Sequence, residues 1–127
     1  MQVQIDHLIL TVNDARESVE FYARILGFVH EGEDGPFSVV RVSEGFTLQL
    51  APWGTKGGEH LAFAMSKADF ERVFARIQAE GLGYGDSFHD VGQQRGPGNE
   101  NGARGPGPTL YFFDPNKHLL EIRHYET

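Results

Sequence analysis

The stretch Val3-Gln4-Ile5-Asp6-His7-Leu8-Ile9-Leu10-Thr11-Val12 decides the fold, because its outline returns 53 residues later in His60-Leu61-Ala62-Phe63-Ala64-Met65. Apolar side chains occupy both alternating faces of the first stretch, which predicts a strand, Val3–Val12, that is buried on both faces. The same offset aligns Phe21 of the first copy with Phe74 of the second. Such self-similarity indicates two copies of one supersecondary unit.

Each copy is predicted to follow the order β-α-β-β-β. In the first copy Asp14, with Glu17 three residues later, forms a capping box and predicts a helix over Asp14–Leu26. Gly27 is expected to end that helix, as a glycine after the last helical turn commonly does. The strands predicted after it are Phe28–Glu33, Ser38–Val42 and Phe46–Ala51.

The second copy is predicted to repeat this order of strands and helix. A strand over residues 60–65 is followed by Ser66 and Asp69, which predict the start of a second helix that Gly81 ends. Apolar residues at helical spacing then predict its buried face. The remaining predicted strands are Tyr84–Phe88, Thr109–Phe113 and Leu119–Arg123.

The segment Gly92–Pro108 departs from the repeat. It holds six glycines and three prolines, so it is predicted to be a long flexible loop. It is interpreted either as an insertion without a role or as a lid over a site, since long loops in compact domains are often functional. The chain is thus expected to be a single domain, 1–127, of two modules at about 1–55 and 59–127.

The composition of the chain excludes several classes of function. The chain has 127 residues, 39% of them hydrophobic and 23% charged, which is ordinary for one globular domain. A net charge of −7 disfavours nucleic acid and anionic membranes as partners. The absence of cysteine excludes disulfides and thiolate metal sites. Because no signal peptide or membrane span is evident, a cytoplasmic location is expected.

Four polar residues occupy matching places in the two copies. His7 and His60 stand on the first strands, and Gln49 and Glu121 stand on the last. A pseudo-twofold arrangement of the modules would bring all four onto one concave surface. Two imidazoles and a carboxylate suit a divalent first-row ion such as Zn, Mn, Fe, Co or Ni. The competing interpretation is that each histidine is an ordinary hydrogen-bonded core or surface residue.

Other candidates are weaker. Arg123 lies two residues after Glu121, so it is predicted to share its face and to meet an anionic substrate, although a surface arginine is the alternative. Trp53 is expected either to wall the pocket or to pack beneath the linker. His118, in a predicted turn, and His124, near the C-terminus, are interpreted as surface residues.

Four segments together resemble the vicinal oxygen chelate superfamily, which includes glyoxalase I, extradiol dioxygenases, and the fosfomycin- and bleomycin-resistance proteins. They cover nearly the whole chain: Ile5–Val12, Ser18–Phe28, Glu59–Phe63 and Tyr111–Ile122. The resemblance implies an α+β fold of paired βαβββ modules that form a curved mixed sheet around a metal cup. It also implies a homodimer.

The resemblance assigns roles to particular residues. His7, His60 and Glu121 match the two-His-one-carboxylate metal set of the superfamily. Gln49 stands where glyoxalase I has its fourth protein ligand, and Tyr111 matches an active-site tyrosine of the fosfomycin-resistance transferases. Bleomycin-resistance proteins generally lack the metal set and sequester the drug without a metal.

Some positions depart from the family pattern. Ile9 replaces a threonine of the fosfomycin-resistance transferases, and Gly92–Pro108 replaces their short cation-binding loop. Both departures count against fosfomycin as the substrate. In the turn Asp114-Pro115-Asn116-Lys117, Lys117 occupies a place that glycine normally fills.

The predicted function is therefore that of a metal-dependent enzyme acting on a small molecule that chelates through vicinal oxygens. Glyoxalase-like lyase or isomerase chemistry is ranked first, with Glu121 as the base. Gln49 decides the ranking, because a fourth protein ligand leaves an octahedral ion too few positions for both a chelating substrate and dioxygen. The alternatives are an extradiol-type dioxygenase and a protein that sequesters an antibiotic or aromatic ligand.

Overall fold

The computed structural model describes residues 1–126, and the chain divides into two compact units, Met1–Lys56 and the part from Gly57 onward. Each unit contains one helix and one mixed sheet, so the predicted α+β class with βαβββ modules is confirmed. Among the described residues, no helix is long and apolar enough to cross a membrane.

The first unit has the strand order β1-β4-β3-β2, in which β1 and β4 run parallel. Asp14 caps its helix as predicted, because the carboxylate accepts a hydrogen bond from the backbone N–H of Glu17 at 2.9 Å. Gly27 ends the helix at φ 76°, a left-handed conformation that glycine adopts at little cost. The elements are β1 (His7–Thr11), α1 (Ala15–Leu26), β2 (Val29–Asp34), β3 (Phe37–Ser43) and β4 (Phe46–Ala51).

The second unit has the strand order β5-β9-β8-β6, with β5 and β9 parallel and β7 paired to β8. Ser66 caps the helix as predicted, since its hydroxyl accepts a hydrogen bond from the backbone N–H of Asp69 at 3.1 Å. The elements are β5 (His60–Ala64), α2 (Lys67–Ala79), β6 (Tyr84–Gly85), β7 (Gly98–Gly102), β8 (Gly105–Phe113) and β9 (Leu119–Arg123).

Each sheet carries its own apolar core. Fully buried aliphatic and aromatic side chains each contribute about 1.5–3 kcal/mol relative to exposure. In the first unit they include Leu10, Val12, Tyr22, Ile25, Leu48 and Leu50, and in the second Ile77, Leu110, Phe112, Leu120 and Ile122.

The prediction for the first strand is wrong in extent and burial. Pairing with β4 begins only at His7, and residues 3 and 5 lie before the strand and are exposed. β1 stands at the edge of its sheet, and Leu8 and Ile9 are 38% and 45% exposed. An alternating apolar pattern predicts a strand, but it does not distinguish a strand at the edge of a sheet from one at its centre.

The predicted strand Tyr84–Phe88 is also too long. Only Tyr84 and Gly85 pair with β8. The chain then turns, because the Asp90 carboxylate accepts hydrogen bonds from the backbone N–H and the hydroxyl of Ser87 at 3.0 and 3.2 Å. Asp and Ser side chains that bond nearby backbone in this way compete with a strand ladder.

The prediction that Gly92–Pro108 is a loop fails for residues 98–108, whereas residues 92–97 lie outside any strand. Strands β7 and β8 form an antiparallel hairpin whose pairs run from Gly98↔Thr109 to Gly102↔Gly105. We call residues 98–109 the glycine hairpin. Glycine at position 107 allows close approach to the residue after β9, because a Cβ there would collide with the backbone carbonyl oxygen of His124. Glycine at these positions therefore permits close packing.

The turn between β8 and β9 holds Lys117 at φ 69°, where glycine is the easier residue. The Asp114 carboxylate accepts hydrogen bonds from the backbone N–H groups of Asn116 and His118 at 2.8 and 2.9 Å. These bonds stabilise the turn without a glycine at position 117.

Candidate metal-binding site

The second unit brings together one of the predicted histidines and the predicted carboxylate. Glu121 on β9 pairs in register with Ala62 on β5, so it lies on the same sheet face as His60, two residues before Ala62. The Nε2 of His60 lies 3.2 Å from Oε1 of Glu121. The His60 side chain is 45% exposed and that of Glu121 only 7%. The imidazole therefore stands at the surface and the carboxylate beneath it.

Arg123 fixes the other oxygen of this carboxylate. Its Nη1 donates to Oε2 of Glu121 at 2.8 Å, and the two side chains are 3% and 7% exposed. Its Nη2 donates to the backbone carbonyls of Glu100 at 2.9 Å and Gly105 at 3.2 Å. The buried guanidinium therefore holds one oxygen of Glu121 in a fixed position.

Tyr111 lies beside the same carboxylate. It pairs in register with Glu121 across β8 and β9, and its ring centroid is 6.0 Å from that of His60. Burial raises the pKa of Tyr111 to about 12, and the negative charge of Glu121 and a hydrogen bond with it act in the same direction. The phenol is therefore a proton donor at neutral pH and not a base.

We expect the Tyr111 phenol to titrate at about pH 12 in the folded protein, above its ordinary value of 10.0. A raised pKa makes the stabilising contribution of the neutral phenol complete below pH 10.0 and lost as the pH rises from there through about 12. The phenolate absorbance of the wild type minus that of Tyr111→Phe measures this one group among the chain's four tyrosines. A difference curve centred at the ordinary value would contradict the expectation.

His118 and His124 correct the sequence interpretation, because both are buried and not at the surface. The Nδ1 of His118 accepts a hydrogen bond from the backbone N–H of Glu59 at 3.2 Å, and Leu119 N–H donates to the Glu59 carbonyl at 2.8 Å. The residue preceding His60 is thus held on both its backbone groups. Sequence reasoning missed this support because its partner lies 59 residues away.

The first unit presents the other predicted donors on one sheet face. Gln49 on β4 pairs in register with Ile9 on β1, so it shares the face of His7, two residues before Ile9. Nδ1 of His7 lies 2.7 Å from the Asp6 carboxylate, which orients the ring and leaves Nε2 as the nitrogen for another ligand. A carboxylate on the far nitrogen is the usual partner of a metal-binding histidine.

Trp53 follows β4 in the first unit. Its side chain is 61% exposed, and its ring packs against that of Phe37 at a centroid distance of 5.8 Å. Its predicted role in walling a pocket stays a prediction.

The predicted donors fit a divalent first-row ion in their chemistry. Two imidazole nitrogens and an anionic carboxylate oxygen are the ligand types that zinc, iron, nickel, cobalt and manganese accept. Within either unit, the described residues include no group of three histidine or acidic side chains that could hold an ion.

Two βαβββ modules, the second extended by strand β7, with polar donors on one face of each sheet, define the glyoxalase-like class of α+β proteins. A family model described as Glyoxalase/Bleomycin resistance protein/Dioxygenase superfamily matches residues 4–122, so the chain belongs to this superfamily. The resemblance inferred from the sequence is confirmed.

Three similar proteins carry enzyme names of different kinds. Glutathione transferase FosA of Serratia marcescens is 26% identical over an alignment of 129 positions, which covers 96% of this chain and 81% of that protein. The structure of Oxidase ChaP-H2 is 33% identical with a TM-score of 0.82, and the match covers 99% of this chain and 96% of that one. Oxidase ChaP-H1 is 28% identical with a TM-score of 0.81, covering 98% of both chains.

Proposed function

We propose that this chain is a metal-dependent enzyme for a small molecule that binds a divalent ion through neighbouring oxygens, with His7, His60 and Glu121 as ligands. The observation that carries the proposal is the contact between His60 and Glu121, with the second carboxylate oxygen fixed by Arg123. A buried carboxylate with one oxygen directed at an exposed imidazole suits an ion placed between them.

We place the complete site across a homodimer, in which His7 of one copy meets His60 and Glu121 of the partner subunit. Two features support this arrangement. Neither unit groups three donors among its described residues. In addition, β1 and β5, which carry the two histidines, are both edge strands of their sheets, and unpaired edges are favourable places for another chain to dock.

The bound ion would supply Lewis acidity to a chelated substrate and, if redox-active, access to dioxygen. The residues of the chain have simpler tasks. Glu121 keeps Oε1 for the ion or for a substrate proton, because Arg123 occupies Oε2. Tyr111 keeps its proton at neutral pH, and its phenol, which bonds Glu121 in this structure, would donate to an anionic substrate oxygen only by leaving that bond. The apolar surface of Ile9, on the face of His7, would exclude water beside the substrate.

Among reaction types we favour oxidation with dioxygen, which includes extradiol-type cleavage. Two histidines and one carboxylate are the ligand set of non-haem iron oxygenases, in which open positions admit substrate and dioxygen. The 33% identity to Oxidase ChaP-H2 over nearly the whole chain also supports this choice. Lyase or isomerase chemistry is the second candidate, favoured by the position of Gln49 on the face of His7.

Reconstitution of the metal-free protein tests these alternatives. Separate samples are loaded with Fe(II), Mn(II), Co(II), Ni(II) or Zn(II) and assayed for oxygen uptake with catechols. Oxidative chemistry predicts uptake with a redox-active ion only, lost in Glu121→Gln and kept in Gln49→Ala. Failure of the wild type to bind any of these ions would contradict the enzyme proposal and favour a sequestering protein. Redox-neutral turnover that needs Gln49, without oxygen uptake, would establish the second candidate.

A further inference from the structure

Arg123 joins two parts of the second unit that lie far apart in sequence. Its Nη1 holds the Glu121 carboxylate, while its Nη2 holds the Glu100 and Gly105 carbonyls of the glycine hairpin. We infer that Arg123 is a positioning residue that ties Glu121 to the glycine hairpin, so that Glu121 offers only its Oε1 to a metal. This inference rests on the proposed function, since it concerns the metal ligand Glu121.

The glycine hairpin is shaped to receive this guanidinium. A Cβ on Gly102 would collide with Cζ of Arg123 and the hydroxyl of Tyr125, and would lie 2.6 Å from Nε of Arg123. Position 102 therefore accepts only glycine while Arg123 keeps its place. The Tyr125 ring covers the guanidinium from one side, with its centroid 4.8 Å from Cζ. The arginine is thus enclosed by β7, β8 and the residues after β9.

The bonding pattern requires an arginine and not merely a positive charge. One terminal nitrogen of the planar fork binds the carboxylate, and the other binds the carbonyls of Glu100 in β7 and Gly105 in β8. A lysine ammonium is a point donor and cannot span these partners at once. The Nε of Arg123 is buried without a hydrogen-bond partner among residues 1–126, a cost that the other bonds must offset.

The bond to Arg123 limits which oxygen of Glu121 can bind a metal. With Oε2 engaged by Arg123, rotation of the carboxylate to present both oxygens to one ion would break a buried charge-assisted hydrogen bond. Glu121 is therefore held as a ligand through a single oxygen, the one that already lies 3.2 Å from His60. A carboxylate that binds through one oxygen occupies one coordination position of the ion instead of two. More positions then remain for a chelating substrate.

The test uses two variants that disturb the tie from opposite ends. Arg123→Lys keeps a charge but loses the fork, and Gly102→Ala pushes the guanidinium aside without altering any residue near the metal. Asn101 is exposed and precedes Gly102 in β7, so Asn101→Ala controls for the effect of any substitution in that strand. Arg104→Met is the control for charge, because Arg104 stacks on the same Tyr125 ring at 4.3 Å.

Three measurements are made on each folded full-length variant: Mn(II) affinity by calorimetry, the visible spectrum of the Co(II) form, and hydrogen exchange of residues 98–109 without metal. Arg123→Lys and Gly102→Ala should bind Mn(II) about 10–100-fold more weakly, as removal of a partner behind a ligand typically does. Their Co(II) spectra should change, and their glycine hairpins should exchange faster. Both controls should match the wild type in all three.

The outcomes separate the inference from the proposed function. Unchanged hydrogen exchange in both variants would overturn the tie itself, whether or not metal binds. Faster exchange with unchanged Mn(II) affinity and Co(II) spectrum would overturn the positioning role while leaving the proposed function intact. A wild type that binds no metal, or that binds it equally well after His60→Ala, would overturn the proposed function and with it the role of Arg123 toward a metal.

Discussion

Replacement of His60 by alanine is expected to leave the protein folded and unable to retain a divalent ion through dialysis. The imidazole is nearly half exposed, and exposed substitutions usually change the free energy of unfolding by no more than about 0.5 kcal/mol. A lost ligand should weaken metal binding by more than the roughly 10–100-fold seen when only a partner behind a ligand is lost. Elemental analysis and calorimetry measure the effect, and His7→Ala should behave in the same way.

Glu121 needs a gentler substitution than alanine. Removal of its side chain would leave Arg123 buried without its partner, and breaking a buried pair costs about 3–5 kcal/mol. Glu121→Gln keeps the shape and one acceptor oxygen, so weakened metal binding can be separated from unfolding.

Two exposed histidines serve as controls for these substitutions. His30→Ala in the first unit and His89→Ala in the second each remove an imidazole that the proposed site does not use. Full metal content in these controls, together with loss in His7→Ala and His60→Ala, is the expected pattern. Retention of metal by both His7→Ala and His60→Ala would show that the ion, if any, is held elsewhere.

The repeat made the candidate site predictable in outline. Its offset pairs His7 with His60, and the parallel registers place Gln49 and Glu121 each beside the residue two positions after its histidine. These relations follow from strand periodicity, which is a local property of the sequence. The caps at Asp14 and Ser66 were predictable for the same reason, because each bond spans three residues.

The support around the site was not predictable from the sequence, because it depends on distant contacts. The Arg123 guanidinium meets carbonyls 18 and 23 residues away, and His118 meets a backbone N–H 59 residues away. A glycine- and proline-rich composition indicates a loop when it is judged locally. The contacts of Arg123 and Tyr125 with Gly102 show why a side chain does not fit at position 102.

The burial of β1 could not be predicted from its sequence pattern either, and this strand bears on the proposed dimer. Its apolar pattern predicted burial, yet Leu8 and Ile9 are open to solvent at the edge of the first sheet. Apolar side chains on an unpaired edge are costly in an isolated chain and are commonly covered by a partner. The proposed homodimer gives this edge a partner and the metal its third ligand.

Mixing two inactive variants is expected to restore metal binding if the site is shared between chains. A His7→Ala chain still offers His60 and Glu121, and a His60→Ala chain still offers His7. Random pairing makes half of the dimers mixed, and a mixed twofold dimer has one intact site, so about a quarter of the wild-type metal content should return. Elemental analysis after unfolding and joint refolding measures it.

The control for this experiment mixes His60→Ala with Glu121→Gln. Both changes lie in the second unit, so neither chain of a mixed dimer offers the intact His60–Glu121 pair and binding should stay as weak as in the separate variants. Recovery in the first mixture and none in the control would establish that His7 acts on the partner subunit's pair. No recovery in the first mixture, or a wild type that sediments as a monomer at micromolar concentration with its metal still bound, would instead require one chain to supply all three ligands, and the exposed edge at β1 would need another explanation.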